Sequence, residues 1–215
     1  MSPHPTLEEF EEELRETDDL DQLVNDLFGG GGLPWAFRSD EPTYLAFRER
    51  VSYALKTTAE DVHIVGSASV GFSLGPDTYP REFHEYSDID VAVVSTDLFD
   101  TVWFSLLKWG HPRRHSLPAP EKNWYDERQR EVFWGWLTPH HLSFRTIRFQ
   151  RDLQTARDLR TNWFSLFQGM GAQFPDTELA RREVSGRLYR TWDHLVGYQS
   201  ESLRRLRYRI ENPVH

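Results

Sequence analysis

The chain has 215 residues, 38% hydrophobic and 14% aromatic, so a single core can outweigh the loss of chain entropy, and wholesale disorder is excluded. It has no cysteine, which excludes a disulfide framework, a thiolate metal site and a cysteine nucleophile. The formal net charge of −9 comes from residues 1–26, which hold ten acidic residues and one arginine, whereas acids and bases balance in the remainder. With no signal-peptide pattern and no apolar run near the ~20 residues that span a bilayer, we expect a cytoplasmic protein without membrane association.

The acidic N-terminal stretch is predicted to be helical. Its apolar residues fit one amphipathic helix from Leu7 to Phe28, or two short helices broken near Asp18 and Asp19. The run Gly29 to Gly32 ends it and forms a flexible joint, so the segment is expected to move as a unit or to dock elsewhere. One hypothesis is that its carboxylates cover the arginine-rich back half of the chain. The more ordinary alternative is a solvated or partner-binding helix.

Two strands are predicted in the middle of the chain. Val62–Val65 and Ile89–Val94 are rich in β-branched residues, and a helix from Tyr44 to Leu55 precedes the first of them. A capped helix is predicted from Asp97 to Gly110.

The rest of the chain gives less uniform signals. Residues 111–123 are predicted to be a loop, and the stretch from Asp126 to Leu137 fits either a helix or a strand. Helical spacing from Glu178 to Ile210 predicts a helical C-terminal quarter.

The residues with the clearest chemistry lie at the ends of the two predicted strands. Gly66 and Ser67 follow the first strand, and Asp88 and Asp90 open the second. Because residues i and i+2 of a strand point to the same side, both carboxylates are predicted to enter one space while Ile89 turns to the core.

Such a carboxylate pair calls for a cation. Oxygen ligands of this kind suit Mg²⁺, with Mn²⁺ as the alternative ion, and Mg²⁺ uses one or two carboxylates together with substrate phosphates. A glycine turn followed by hydroxyl residues offers backbone N–H groups to a triphosphate. The sequence therefore predicts a cation site facing an anion site.

The string Gly66-Ser67 followed by Ser87-Asp88-Ile89-Asp90-Val91 resembles the signature of the polymerase-beta-type nucleotidyltransferase superfamily, and the resemblance covers about residues 43–110. It implies an α+β fold in which a small mixed sheet is flanked by helices. It also implies Mg²⁺-dependent transfer of a nucleoside monophosphate from a nucleoside triphosphate to a hydroxyl, with release of pyrophosphate. The residues implied to hold the nucleotide are Gly66, Ser67, Ser69 and Ser87, and those implied to bind two Mg²⁺ ions are Asp88 and Asp90.

The superfamily places a third carboxylate on a later strand, and this chain departs from that pattern. The late strand candidate, His141 to Phe149, contains no acidic residue. Glu131 is the preferred third catalytic carboxylate, because Val132 and Phe133 beside it indicate an apolar, β-like context, and Asp152 is the alternative. If neither reaches the metal ions, the chain binds nucleotide without turnover.

The chain is expected to divide into three parts, and the resemblance suggests a biological setting. Residues 1–32 form the acidic segment and linker, 33–150 the nucleotidyltransferase core, and 151–215 a helical C-terminal portion. Stand-alone bacterial members imply synthesis of an oligonucleotide signal in antiphage defence, with an oligonucleotide or RNA acceptor and a regulatory or effector protein as partners. The alternatives are a toxin- or antitoxin-type enzyme that modifies tRNA or protein, and a silent nucleotide-binding subunit.

Other polar residues carry weaker signals. His84 is a candidate for assisting a proton transfer, whereas His140 and His141 lack a third ligand at metal-binding spacing and are predicted to have a surface or loop role. Core packing is the safer interpretation of Trp124, Trp134 and Trp136, although they could stack on a base. The arginines that are candidates to approach a triphosphate from the C-terminal part are Arg187, Arg190, Arg204 and Arg205.

Overall fold

A mixed sheet runs through the part of the chain that the structure, a computed structural model, describes, residues 4–142 and 151–213. Its strands are β1 (Val62–Val65), β2 (Ile89–Val94), β3 (Trp136–Leu137) and β4 (Val184–Tyr189). Their spatial order is β1-β2-β4-β3. Strands β2 and β4 run parallel, whereas β1 and β3 run antiparallel to their neighbours. The predicted α+β fold with a small mixed sheet is confirmed.

Helices surround this sheet. Those in the described residues are α1 (Leu7–Glu16), α2 (Leu20–Phe28), α3 (Glu41–Leu55), α4 (Ser67–Val70), α5 (Thr96–Gly110), α6 (Ala119–Phe133), α7 (Gln154–Gln168), α8 (Met170–Gln173) and α9 (Trp192–Glu211). A 3₁₀ turn at Pro139–His141 follows β3. Across residues 4–142 and 151–213, none of the helices is both long enough and apolar enough to cross a membrane.

The acidic N-terminal stretch forms two helices because a second cap interrupts it. Thr6 and Glu9 form a capping box at the start of α1. The Asp19 side chain accepts a hydrogen bond from the Gln22 amide at the start of α2. Of the two patterns that the sequence allows, the one with a break near Asp18 and Asp19 is therefore confirmed.

Both N-terminal helices dock on the rest of the protein through their apolar faces. Phe10 and Leu14 of α1 are fully buried, and α2 packs against α9. The Ser200 hydroxyl of α9 also donates a hydrogen bond to Asp21 of α2 at 2.5 Å. The acidic segment is thus part of a hydrophobic core, and its carboxylates lie on the outer side of that core.

The two faces of β2 contribute to two cores. Ile89, Val91 and Val93 are buried in a core shared with α3, α5 and α7. Ala92 points to the opposite face, where α1, α2 and α9 complete a second core. Asp90 shares that second face with Ala92, because side chains alternate along a strand.

The structure corrects the prediction for residues 184–189. They form β4, so the expectation of continuous helix from Glu178 to Ile210 is wrong there. Val184 and Leu188 are four residues apart, and that spacing brings two side chains to one face of a helix or of a strand. Pairing with β2 selects the strand, because both side chains then enter the core that β2 already lines.

The structure also resolves the ambiguous stretch after residue 110. The predicted loop over 111–123 ends early, because α6 begins at Ala119 with a proline in its first turn. The stretch from Asp126 to Leu137 is mostly helical, and only Trp136 and Leu137 extend as β3. The strand candidate from His141 to Phe149 lies, beyond Leu142, outside the described residues.

Gly110 and Gly197 test the packing of the helices. A Cβ at Gly110 would lie 2.1 Å from the ring of Tyr125, which is 2% exposed, whereas a Cβ at Gly197 would meet no atom within 4 Å. We expect Gly110→Ala to lower the free energy of unfolding by about 1–3 kcal/mol, because the buried ring must move. Gly197→Ala is expected to raise it by up to about 1 kcal/mol, because alanine favours the helix. Denaturant unfolding measures both, and equal midpoints for the two variants would contradict the packing.

Candidate functional site

A cavity of about 950 Å³ opens where β2 and β4 begin. This volume lies in the range of about 300–1,000 Å³ that small-molecule sites occupy. Its polar lining includes Gly66, Ser67, Ser87, Asp88, Asp90, Arg81, Arg182, Glu183, Ser185, Arg187, His140 and His141. None of the acidic residues of α1 and α2 is in the lining, so the hypothesis that this segment covers a cationic site finds no contact in this cavity.

The two aspartates line the cavity from positions two residues apart in the chain. Asp88 directly precedes β2, Asp90 is its second residue, and both side chains contribute to the cavity wall. Ile89 between them is 1% exposed and points to the opposite face of the sheet. This arrangement is the one expected from their spacing of two residues.

Gly66 brings the turn after β1 against Asp90. The register of the sheet places Val65 opposite Asp90, so Gly66 follows directly beyond this pair. Its backbone adopts φ +65° and ψ −149°, a conformation that residues with a side chain rarely adopt. A Cβ at Gly66 would also lie only 3.2 Å from Asp90 Oδ2. Glycine is therefore required here both for the turn and for the approach of the turn to the carboxylate.

Asp90 is tuned by its surroundings. The Ser185 hydroxyl of β4 donates a hydrogen bond to Asp90 Oδ1 at 3.0 Å, since the parallel register places the two residues side by side. Enclosure by protein raises the pKa of Asp90 above its ordinary value, although the hydrogen bond from Ser185 lowers it. The charge of Asp88 raises the same pKa and that of Arg187 lowers it. A cation placed between the two aspartates would relieve both the enclosure and the repulsion.

Arg187 supplies positive charge to the cavity. It lies two residues after Ser185 on β4, so both side chains point to the same face. Its guanidinium carbon lies 4.6 Å from the centre of the Tyr198 ring and 5.5 Å from that of Trp136. These aromatic contacts hold the cation without neutralising it.

Arg182 fixes the turn that carries Asp88. Its Nη1 donates hydrogen bonds to the carbonyl oxygens of His84 at 2.6 Å and Ser87 at 2.9 Å. Its Nη2 binds Glu178 at 2.9 Å, and its guanidinium carbon lies 4.3 Å from the centre of the Phe83 ring. The orientation of Asp88 therefore depends on a residue that lies just before β4.

Three sequence-predicted site residues have other roles in the structure. Ser69 is buried and donates a hydrogen bond to the Leu27 carbonyl at 3.4 Å, away from this cavity. Ser87 lines the cavity, but its hydroxyl accepts a hydrogen bond from the His84 amide and so closes the turn. Glu131 lies in α6 rather than in a β-like context, and it pairs with Arg128.

The alternative third carboxylate is also placed elsewhere. Asp152 forms an ion pair with Arg113 at 2.9 Å and is not among the lining residues. The strand position beside Asp90 carries Ser185, whereas Glu183, two residues earlier, lines the cavity. In residues 4–142 and 151–213, no group of three or more acidic or histidine side chains is arranged to hold a metal ion. A magnesium ion at Asp88 and Asp90 would therefore have to take its other ligands from water and phosphate oxygens.

Only one of the four candidate arginines lines the cavity. Arg187 does so, whereas Arg190 pairs with Asp100 at 2.8 Å on the other end of β4. Arg204 and Arg205 both pair with Glu201 on the outer side of α9.

Some of the candidate histidines and tryptophans line the cavity or contact its residues, whereas others lie elsewhere. His140 and His141 line the cavity, whereas His84 lies outside it in the exposed turn before Asp88. Trp136 contacts Arg187, while Trp124 packs against Trp109 and supports the core reading.

Sequence reasoning missed the contributions of Arg182, Glu183 and Ser185. Arg182 and Glu183 directly precede β4, and Ser185 is its second residue. The sequence pattern predicts helix here, and a helix would distribute the three side chains around its circumference. The signal that could have found them is the alternation of Ser185 and Arg187 about Gly186, whose Cβ would lie 2.7 Å from the Val91 carbonyl of the neighbouring strand.

Asp90→Asn tests whether the ionised carboxylate of Asp90 lowers the stability of the folded protein. A folded-state pKa above the unfolded value means that stability is present at low pH and is lost as the pH rises through the folded pKa. The amide keeps an acceptor for Ser185 but cannot ionise, so we expect Asp90→Asn to be more stable than wild type at pH 7 without divalent cations. The gain should shrink toward pH 4. Denaturant unfolding at both pH values measures it, with the exposed Asp18→Asn as control. If Asp90→Asn were less stable than wild type at pH 7, this expectation would be wrong.

The geometry can be set beside known proteins. Neither family models, nor curated proteins, nor solved structures yield a match to this chain. The site is therefore defined by the arrangement of its own residues, and the resemblance carried by Gly66-Ser67 and Ser87 to Val91 supplies an expectation about its chemistry.

Proposed function

We propose that this protein is a Mg²⁺-dependent nucleotidyltransferase, which transfers a nucleoside monophosphate from a nucleoside triphosphate to a hydroxyl and releases pyrophosphate. One observation carries the proposal. Asp88 and Asp90 share a cavity wall with the Gly66–Ser67 turn and with the cation of Arg187. A metal–triphosphate complex needs this combination, because carboxylates hold the ion and positive groups hold the phosphates.

The two aspartates would hold the metal ion. When bound, Mg²⁺ supplies neutralisation of phosphate charge and favours ionisation of the attacking hydroxyl. Desolvation and the charge of Asp88 raise the pKa of Asp90, which means that they destabilise its ionised form. A nearby cation would stabilise that ionised form.

The residues around the aspartates suit the polyphosphate. Gly66 and Ser67 present a turn without a bulky side chain, and Ser67 adds a hydroxyl to the cavity wall. Arg187 and Arg81 line the same cavity and can donate charge-assisted hydrogen bonds to phosphate oxygens. Phosphoryl transfer requires mainly positioning and neutralisation from the protein, which these groups provide.

The wall of the cavity that α7 contributes suits a nucleobase. Trp163, Phe164 and Phe167 of α7 line it together with Gln168. Aromatic side chains stack on any base, and an amide offers both a donor and an acceptor to a base edge. The acceptor hydroxyl is left open between a second nucleotide, an RNA end and a protein side chain.

A second candidate function is nucleotide binding without transfer. The observation that favours it is Ser185: on the later strand β4, the residue beside Asp90 is a serine and not a third carboxylate. The same cavity would then hold a nucleotide as a regulatory ligand.

The test of the proposed function is pyrophosphate release. Purified protein is incubated with each common ribonucleoside and deoxyribonucleoside triphosphate in Mg²⁺ or Mn²⁺. We expect activity that Asp88→Asn and Asp90→Asn each reduce by at least about 100-fold, because each removes a direct metal ligand and even indirect partners cost about 10–100-fold. Asp18→Asn, an exposed carboxylate outside the cavity, should retain the wild-type rate.

Product analysis then separates the candidate functions. Mass spectrometry of free oligonucleotides would support signal synthesis, and transfer of an α-labelled nucleotide to added RNA or protein would support modification of a macromolecule. Binding of a nucleotide without pyrophosphate release, in every acceptor condition, would select the second candidate.

Arg187→Gln tests the polyphosphate site. We expect the KM for the nucleoside triphosphate to rise about 10-fold with a smaller change in kcat, because a hydrogen bond to a charged group contributes about 1.5–3 kcal/mol. Arg204→Gln is the matched control, because Arg204 is exposed and pairs with Glu201 outside the cavity. An unchanged KM for Arg187→Gln would remove this residue from the site.

A further inference from the structure

A buried ion pair on α6 contacts a histidine of the cavity wall. Arg128 Nη2 donates to Glu131 Oε1 at 2.9 Å, and the side chains of both residues are nearly inaccessible, with 7% and 8% exposure. The same Glu131 oxygen lies 3.3 Å from Nδ1 of His141. The His141 side chain is 53% exposed and lines the cavity that holds Asp88 and Asp90.

Side chains of α6 contact both the backbone and the ring of His141. Its carbonyl oxygen accepts hydrogen bonds from Trp124 Nε1 at 3.0 Å and from Arg128 Nη1 at 3.2 Å. Its ring is held by Glu131 as well. Backbone and imidazole are thus both fixed by side chains of α6, although about half of the side chain is exposed and the residue lines the cavity.

This arrangement is costly for stability. Glu131 Oε2 and Arg128 Nε are buried and find no hydrogen-bond partner among residues 4–142 and 151–213. Buried polar atoms of this kind each cost about 1–3 kcal/mol, and an apolar pair of similar volume would often be neutral or stabilising. The pair therefore calls for an explanation other than packing, and the residue that it fixes is His141.

The pair also determines where the imidazole carries its proton. An ionised carboxylate only accepts hydrogen bonds, so Nδ1 of His141 is the donor to Glu131. In the neutral ring, Nε2 then carries the lone pair. Nε2 lies across the ring from Nδ1 and is the nitrogen that can accept a proton.

The charges that face His141 come from three sides. On α6, Arg128 pairs with two carboxylates, Glu131 at 2.9 Å and the more exposed Glu127 at 3.3 Å, and Glu131 contacts Nδ1. Helix α7, which packs against the turn of His141, places the Phe164 ring against His140 and the Arg160 guanidinium beside that ring. The other charged groups of the cavity wall are Asp88, Asp90, Arg81, Arg182, Glu183 and Arg187.

We propose that His141 is the general base of the transfer reaction and that Glu131 is its positioning residue. This inference rests on the proposed function. The acceptor hydroxyl gives its proton to His141 Nε2 as its oxygen forms a bond to the α-phosphorus, and the bond between that phosphorus and the pyrophosphate oxygen breaks. The proton remains on the imidazolium until solvent removes it, and pyrophosphate leaves with the electron pair of the broken bond.

The first test compares His141→Gln with wild type. Removal of the base should reduce kcat by about 10²–10⁴-fold with little change in the KM for the triphosphate. The acidic limb of the pH–rate profile, which reports protonation of the base, should disappear. His111→Gln replaces an exposed histidine outside the cavity and serves as control. Added imidazole should restore activity to His141→Gly, and that rescue distinguishes a chemical role from a structural one.

The second test isolates Glu131 and does not depend on turnover. Nitrogen-15 NMR of wild type should show His141 with its proton on Nδ1. In Glu131→Gln the side-chain amide can donate to Nδ1, so the population with the proton on Nε2 should increase, and kcat should fall about 10-fold or more. Circular dichroism melts establish that each variant is folded.

The outcomes separate this inference from the function on which it rests. If wild type releases no pyrophosphate with any nucleotide and acceptor, the proposed function fails and the general base with it. If wild type is active but His141→Gln keeps its kcat within about threefold and retains the acidic limb, only the assignment of His141 is overturned. Loss of activity without imidazole rescue, together with a His141 proton on Nε2 in wild type, would also overturn it.

Discussion

The parallel pairing of β2 with β4 determines the surroundings of Asp90, and the rest of the site depends on it. This register sets Ser185 beside Asp90 and Arg187 two residues further along the same face. On the other side of β2, antiparallel pairing with β1 brings Gly66 to within side-chain distance of the same carboxylate. A single acidic side chain therefore lies between a glycine turn and a basic strand, and each of these neighbours comes from a different part of the chain.

Local sequence was sufficient for the first half of this arrangement. β1 and β2 begin and end where the runs of β-branched residues do, and the spacing of two between Asp88 and Asp90 is enough to place both on one wall. The turn at Gly66 is likewise a local event, since its backbone conformation favours glycine. The capped helices follow for the same reason, because a cap is a contact between residues three positions apart.

The position of β4 and the contacts of Glu131 could not be predicted from local sequence, because tertiary contacts determine them. The spacing of Val184 and Leu188 fits a helix and a strand equally well, and pairing with β2 selects the strand. The apolar neighbours of Glu131 suggest a strand beside the aspartates, yet those neighbours belong to a helix, and its partner is Arg128. The link from Glu131 to His141 joins residues ten positions apart across a helix end, a strand and a turn, so no periodicity announces it.

The clamp formed by Arg182 has a consequence for the order in which the molecule is made. Its guanidinium reaches back about a hundred positions to carbonyl groups on either side of the turn that presents Asp88, as the separations of 98 and 95 positions show. A ribosome-bound chain that ends before Arg182 already contains both aspartates but lacks these two long-range hydrogen bonds to their turn. Contacts of such long range close late in folding. A chain truncated before Arg182 therefore lacks both this clamp and the strand β4 that completes the cavity wall.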